Sequence, residues 1–158
     1  MKNMSYALTT NQARAQVKDI TRRLGWWNVK PGDLIQQVVK GMGLKKGEKI
    51  QKIHVIEVLE AKPEPLFCLT EYPNYGLLEV RREGFPNMTP SNFIDMFCKS
   101  HNGCTPTTEV NRIVFRYVDP RPECDCCKTD NWYIDSGDVI RCQFCRREFL
   151  SAFPQWAR

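Results

Sequence analysis

Long apolar runs are missing from this 158-residue chain, so nothing in it has the length of a membrane-spanning helix. Met1 to Thr10 carries one Lys2 and no sustained apolar segment, so no secretory signal is expected. Internal repeats, low-complexity tracts and a glycine-rich phosphate loop are also absent, which argues against a doubly wound nucleotide fold. Histidine is scarce. His54 lies inside an apolar run, where a structural role is expected, and His101 sits in Cys98-x2-His101-x2-Cys104, which lacks a fourth metal ligand. Cys68 is isolated, and no Cys–His pair suggests a catalytic thiol. These absences predict a soluble cytoplasmic protein with no membrane partner.

Aromatic residues are plentiful. Eight Phe, four Trp and five Tyr can fill a core, so global disorder is not expected. The net charge of +5 is unevenly placed. Residues 1–60 hold eleven Lys/Arg against five Asp/Glu, whereas residues 61–118 balance at six each. The basic excess therefore belongs to the N-terminal part and suits an anionic partner such as nucleic acid, although a solvated lysine-rich surface would look the same.

Eight cysteines without an export signal point to thiols or metal rather than disulfides. Cys124-x2-Cys127 and Cys142-x2-Cys145 form two short pairs separated by fourteen residues. A two-residue gap lets both sulfurs of one turn reach a single ion, and two such turns complete a tetrahedron. Between them, residues 132–135 and 138–141 read as two strands around Ser136-Gly137, a ribbon that brings the pairs together. One structural Zn²⁺ is expected, with a rubredoxin-like iron as the minor alternative. Cys126 is spare and could replace Cys127 by a one-residue shift; Cys127 is preferred because its gap matches the other pair. Four thiolates leave the ion no open position for catalysis. Phe149, Phe153 and Trp156 follow at spacings of four and three, a stripe for a short tail helix that packs on the barrel or docks a partner protein.

Thr9 opens a helical pattern with Ala13, Val17, Ile20 and Leu24 on one face, closed by Gly25. Strands are expected over residues 34–39, 53–59 and 110–118, with a glycine-rich loop over 41–48. Residues 77–82 read as helical, and Thr89-Pro90 is an N-cap followed by proline at the first helical position. Asp119-Pro120-Arg121-Pro122 reads as a stiff linker. The sum is an α+β chain: a small mixed barrel with flanking helices over residues 1–118, then a zinc-ribbon module and tail over 119–158.

On the expected first helix, Lys18 and Thr21 are neighbours. A partly desolvated lysine can activate a hydroxyl nucleophile, but from spacing alone a plain surface helix is the simpler reading. Arg14, Lys18, Arg22 and Arg23 could contact phosphates, Trp26 or Trp27 could stack on a base, and Lys45, Lys46 and Lys49 could extend the patch.

Residues 18–23 (Lys-Asp-Ile-Thr-Arg-Arg), the Pro31-Gly32-Asp33 turn and Glu83-Gly84-Phe85 before a helix together resemble the ASCH-domain family. The resemblance covers about residues 4–118 and looks strongest to phage-encoded members with a cysteine-rich tail, which would place the protein in a host cytoplasm. One departure is visible: the family often has glycine two before the lysine, where this chain has Gln16. The resemblance implies a PUA-like barrel and two kinds of function. Many such domains bind RNA or modified nucleic acid. A smaller group resembles amidohydrolases that remove the acetyl group from acetylated cytidine, and carried over here their catalytic set would be Lys18 as base, Thr21 as nucleophile and Glu83 at the leaving amine. Glu79 is a second candidate for the glutamate. A third implied role is a protein-interaction module acting on a host protein.

Overall fold

The computed structural model describes residues 1–149. It is a mixed α+β fold containing seven strands and four α-helices among those residues. The strands are β1 (Lys2–Ser5), β2 (Ile20–Arg23), β3 (Leu34–Val38), β4 (Lys52–Pro65), β5 (Glu109–Tyr117), β6 (Trp132–Ile134) and β7 (Ile140–Cys142). The helices are α1 (Thr10–Arg14), α2 (Cys68–Glu71), α3 (Pro73–Arg82) and α4 (Pro90–Lys99). Five strands form one sheet in the order β1-β3-β4-β5-β2, and β6 pairs with β7. The described chain forms two compact units, and β4 and β5 each run through both.

The first unit contains residues 1–17, 34–57 and the chain from Arg116 onward. β1 runs parallel to β3 from Lys2↔Ile35 to Ser5↔Val38. β3 pairs antiparallel with the start of β4, with a register shift between Gln36 and Val38. A second apolar cluster joins Ala15 and Val17 to Cys124, Trp132, Ile140, Cys142 and Phe149. The cysteine ribbon therefore shares a core with the N-terminal segment. Asp119, expected in a linker, is anchored instead: its Oδ2 accepts from the Val55 amide at 2.9 Å and lies 3.2 Å from His54 Nδ1. Gln16 Nε2 donates to the carbonyls of Asp119 and Pro120. The compact units thus do not divide at residue 118.

The second unit contains residues 18–33 and 58–115. β2 pairs antiparallel with β5, from Ile20↔Val114 to Arg23↔Asn111. Its core is Leu66, Leu69, Val80, Phe93, Ile94, Phe97 and Val110. Burying one such side chain contributes about 2 kcal/mol. Thr89 caps α4 as its sequence predicts, accepting from the Asn92 amide at 3.1 Å with Pro90 at the first turn. Gly76 lets α3 approach α2, since a Cβ there would stand 1.8 Å from the Leu69 carbonyl oxygen.

The expected first helix is the main correction. It stops at Arg14, and Ile20 to Arg23 form a strand. Gln16 adopts φ +54°, a left-handed conformation that a helix cannot continue through and that glycine adopts more readily. The 4-3-4 spacing of apolar residues was compatible with a helix, but pairing with β5 buries Ile20 by strand geometry instead. The second correction is β4, which extends six residues past Leu59 to Pro65. β1 had no sequence signal. Phe149 is 2% exposed, whereas Phe153 and Trp156 of the expected tail stripe lie outside the described residues.

Candidate functional site

Within the second unit, five chain segments deliver charge to one buried place. Arg22 comes from β2, Glu64 from β4, Glu79 from α3, Glu83 just beyond it, and Arg112 from β5. Arg22 Nη2 donates to Glu79 Oε2 at 2.6 Å and to Glu64 Oε1 at 3.0 Å, while Nη1 reaches Glu83 Oε1 at 3.2 Å. Arg112 grips Glu79 with Nε at 2.7 Å and Nη2 at 3.0 Å, the two-toothed geometry that suits guanidinium and carboxylate. Tyr75 donates to Glu64 Oε2 at 2.6 Å. Lys18 Nζ closes the cluster, 3.5 Å from Glu83 Oε2.

Three cations therefore meet three buried carboxylates. Such a cluster is tolerated only because each charge has a partner. Burial opposes the charge on Arg22, but Glu83, Glu64 and Glu79 outweigh it and hold its pKa above the ordinary value. Burial likewise pushes Glu79 up, yet the hydrogen bond from Arg112 and the charge of Arg22 hold it below the usual carboxylate range. Lys18 behaves differently. Complete burial pulls its pKa down to about 8, Glu83 restores part of the loss, and the charge of Arg23 lowers it further. A lysine in this state exchanges its proton near neutral pH, which is the property a general base needs.

Of the three residues that the ASCH resemblance singles out, Lys18 and Glu83 are brought together. Thr21 lies on β2 and is 3% exposed. Its Oγ1 accepts from Arg23 Nε at 3.1 Å, so these two share a strand face opposite the one carrying Arg22. Thr21 lies on β2 and Lys18 in the irregular chain two residues before it, so neither is on a helix.

The residues expected to bind nucleic acid divide between the units. In the second unit Lys18 and Arg22 are buried in the ion cluster, with Arg22 at 3% exposure, so phosphate contact would require breaking it. Arg23 is half-buried. Trp26 is half-buried in a left-handed conformation, and its carbonyl accepts from Asn111 Nδ2 at 2.8 Å. Trp27, at 51% exposure, is the more available ring. In the first unit Arg14 is half-buried, and its carbonyl lies 3.0 Å from His54 Nε2. Lys45, Lys46 and Lys49 are exposed.

The second candidate site lies in the first unit. The ligand atoms of Cys124, Cys127, Cys142 and Cys145 all lie within 4.8 Å of one another and could hold one metal ion. Two matching turns build it. The Lys128 amide donates to the Cys124 carbonyl at 2.8 Å, and the Arg146 amide to the Cys142 carbonyl at 3.1 Å. The Cys124 amide reaches the Thr129 carbonyl, and the Cys142 amide reaches that of Arg147. Lys128 and Arg146, four residues after the first cysteine of each turn, both have φ near +60°. This equivalence pairs Cys127 with Cys145 and leaves exposed Cys126 outside the group. Tetrahedral zinc–thiolate geometry needs sulfurs roughly 3.8 Å apart, and the Cys124–Cys145 separation is 3.6 Å.

Sequence reasoning passed over Glu64 and Arg112, whose only signal was charge where the chain otherwise reads as apolar strand or proline turn. The Cys98-x2-His101-x2-Cys104 motif does not assemble a metal group among the described residues; His101 Nδ1 lies 2.8 Å from the Phe97 carbonyl and the ring stacks on Phe97. His54 is structural in placement, bridging the Arg14 carbonyl and Asp119. No described helix is long and apolar enough to cross a membrane. No protein-family model, curated protein or solved structure matches this chain.

Proposed function

We propose that this chain is an ASCH-like domain of PUA-like type that binds a modified nucleoside, free or within RNA, at the Lys18–Glu83 pair, with one structural Zn²⁺ in the four-cysteine cluster. The observation that carries the reading is a fully buried lysine whose pKa falls to about 8 beside a buried carboxylate. A purely architectural cation would be better served by arginine, which keeps its charge and forks onto carboxylates as Arg22 and Arg112 do here. Lysine at that place supplies an exchangeable proton. Exposed Trp27 offers a stacking surface in the same unit; as a separate surface, exposed Lys45, Lys46 and Lys49 of the first unit offer phosphate contacts. Saturable binding of acetylated cytidine, weakened by Glu83→Gln in a folded protein, is the expected result. Unchanged affinity in that variant would place the site elsewhere.

A second reading, amide hydrolysis, is favoured by the same lowered pKa. Neutral Lys18 would take the proton of an attacking hydroxyl, that of Thr21 if the family set carries over, and pass it through Glu83 to the nitrogen of the leaving amine as the C–N bond breaks; water, deprotonated by the same lysine, would then cleave the acetyl ester on Thr21 and release acetate. Chromatography of acetylated cytidine incubated with metal-loaded protein tests it. Release of cytidine that disappears in Thr21→Ala supports hydrolysis with Thr21 as nucleophile. Absence of release at high protein and long incubation removes the reaction and leaves binding.

The metal reading has its own readout. Four thiolates on Zn²⁺ carry a net −2, so the loaded protein would be nearer +3 and the ribbon too acidic to hold phosphate by itself. Elemental analysis of the purified protein should give one zinc per chain, lost in Cys142→Ser.

A further inference from the structure

Cys98 lies in the last turn of α4, and Cys104 follows a tight reversal of the chain. The His101 amide donates to the Cys98 carbonyl at 3.3 Å, and the Cys104 amide donates to the His101 carbonyl at 3.2 Å. Gly103 completes the reversal at φ +74°, a conformation that strains any residue with a side chain. His101 is fixed inside the turn, its ring stacked on Phe97 at 4.3 Å between centroids. The outcome is that the two sulfurs stand 2.8 Å apart, against the core cluster of the second unit. In the four-cysteine group the Cys124 and Cys145 sulfurs stand 3.6 Å apart. Cys98 and Cys104 are thus held closer than two metal ligands, with no third ligand group beside them among the described residues.

We propose that Cys98 and Cys104 are a dithiol site that closes reversibly to an intramolecular disulfide on exchange with a low-molecular-weight disulfide such as oxidised glutathione. In the first step one thiolate attacks the glutathione disulfide, forming a mixed disulfide and expelling one glutathione thiolate. In the second, the neighbouring sulfur attacks the protein sulfur of that mixed disulfide and expels the other glutathione. Two protein thiols lose two protons and two electrons, and one glutathione disulfide becomes two glutathiones. Burial and the adjacent sulfur of Cys104 push the Cys98 thiol up to about 11, which disfavours Cys98 as the first attacking thiolate. Closing a bond of about 2.05 Å from the present separation needs only a small side-chain movement. The disulfide would tie the end of α4 to the segment that enters β5, and α4 packs on α3, the helix carrying Glu79.

The sequence provides a direct assay. Trypsin cleaves after Lys99, so Cys98 leaves in peptide 83–99 and Cys104 in peptide 100–112, each with no other cysteine. The metal-loaded full chain is equilibrated with oxidised and reduced glutathione, alkylated to trap free thiols, digested and weighed by mass spectrometry. The expected product is the two peptides joined and lighter by two hydrogens, released by dithiothreitol. In Cys104→Ser the joined species should disappear and Cys98 should be recovered alkylated or carrying one glutathione. Recovery of both peptides separately from the wild-type chain, alkylated or each carrying glutathione, would overturn the proposal. So would a link from either cysteine to any other position.

Discussion

Lys18 Nζ lies 3.5 Å from Glu83 Oε2, and sixty-five positions of sequence separate these two buried side chains. Arg22 holds the other oxygen of the same carboxylate at 3.2 Å. Glu83 is therefore shared between a cation that stays charged and one whose proton is loosely held. That asymmetry is what separates Lys18 from the rest of the ion cluster.

The first consequence is a pH dependence of stability. Below about pH 8 the folded chain holds Lys18 charged in a buried place, at a cost. Above it, the folded state has released a proton that the unfolded chain keeps up to the ordinary lysine value of 10.5. The unfolded state then binds more protons, so stability rises with pH across this window. From the shift, the rise between pH 7.5 and 9.5 is about 2 kcal/mol. Urea unfolding at both pH values should show it in the wild type and not in Lys18→Met, and other titrating groups cancel in that comparison.

Arg22 should be the least replaceable member of the cluster. Arg22→Met leaves Glu64, Glu79 and Glu83 without their common partner, and breaking a buried ion pair costs about 3–5 kcal/mol. Reversing the charge of exposed Lys45 or Lys46 should change stability by less than about 0.5 kcal/mol. The same lysine variants should weaken RNA binding and flatten its salt dependence, if RNA is the partner. Chemical denaturation separates the two classes, and an Arg22→Met protein as stable as the wild type would contradict the cluster's assigned role.

Much of this was legible in the sequence, and the reasons for success and failure are physical. The cysteine ribbon was readable because a metal dictates ligand spacing locally, and Thr89-Pro90 because a cap acts within one turn. The segment from Val17 to Leu24 was misread because its apolar spacing fits a helix, while its actual conformation is set by pairing with residues ninety positions away. Only Gln16, standing where the resembled family often has glycine and found at φ +54°, hinted at the break. Lys18 and Glu83 were named through the resemblance, but Glu64 and Arg112 were not, since a cluster drawn from several elements leaves no local pattern.

Gly76 offers a test of packing away from the charges. Adding one methyl there places a Cβ 1.8 Å from backbone that cannot rotate away. Gly76→Ala should therefore destabilise despite alanine's better helix propensity, by about 1–3 kcal/mol or more. An unchanged or raised Tm would mean that α2 and α3 are further apart than described.

Metal removal should be felt beyond the ribbon. Ala15 and Val17 share an apolar cluster with Cys124, Trp132, Cys142 and Phe149. Chelation should raise amide hydrogen exchange in residues 13–17 together with residues 122–149, because burial in that cluster depends on both segments. Exchange confined to residues 122–149 would show that residues 13–17 keep their structure without the loaded ribbon, against the shared cluster.

The most direct test of the central claim is a calorimetric titration of acetylated cytidine into the metal-loaded chain and into Lys18→Met, with both proteins first shown to be folded by circular dichroism. Saturable binding to the wild type, weakened tenfold or more in the variant, is the predicted result. Equal binding to both proteins, or no binding to either, would contradict the assignment of the Lys18–Glu83 pair as a modified-nucleoside site.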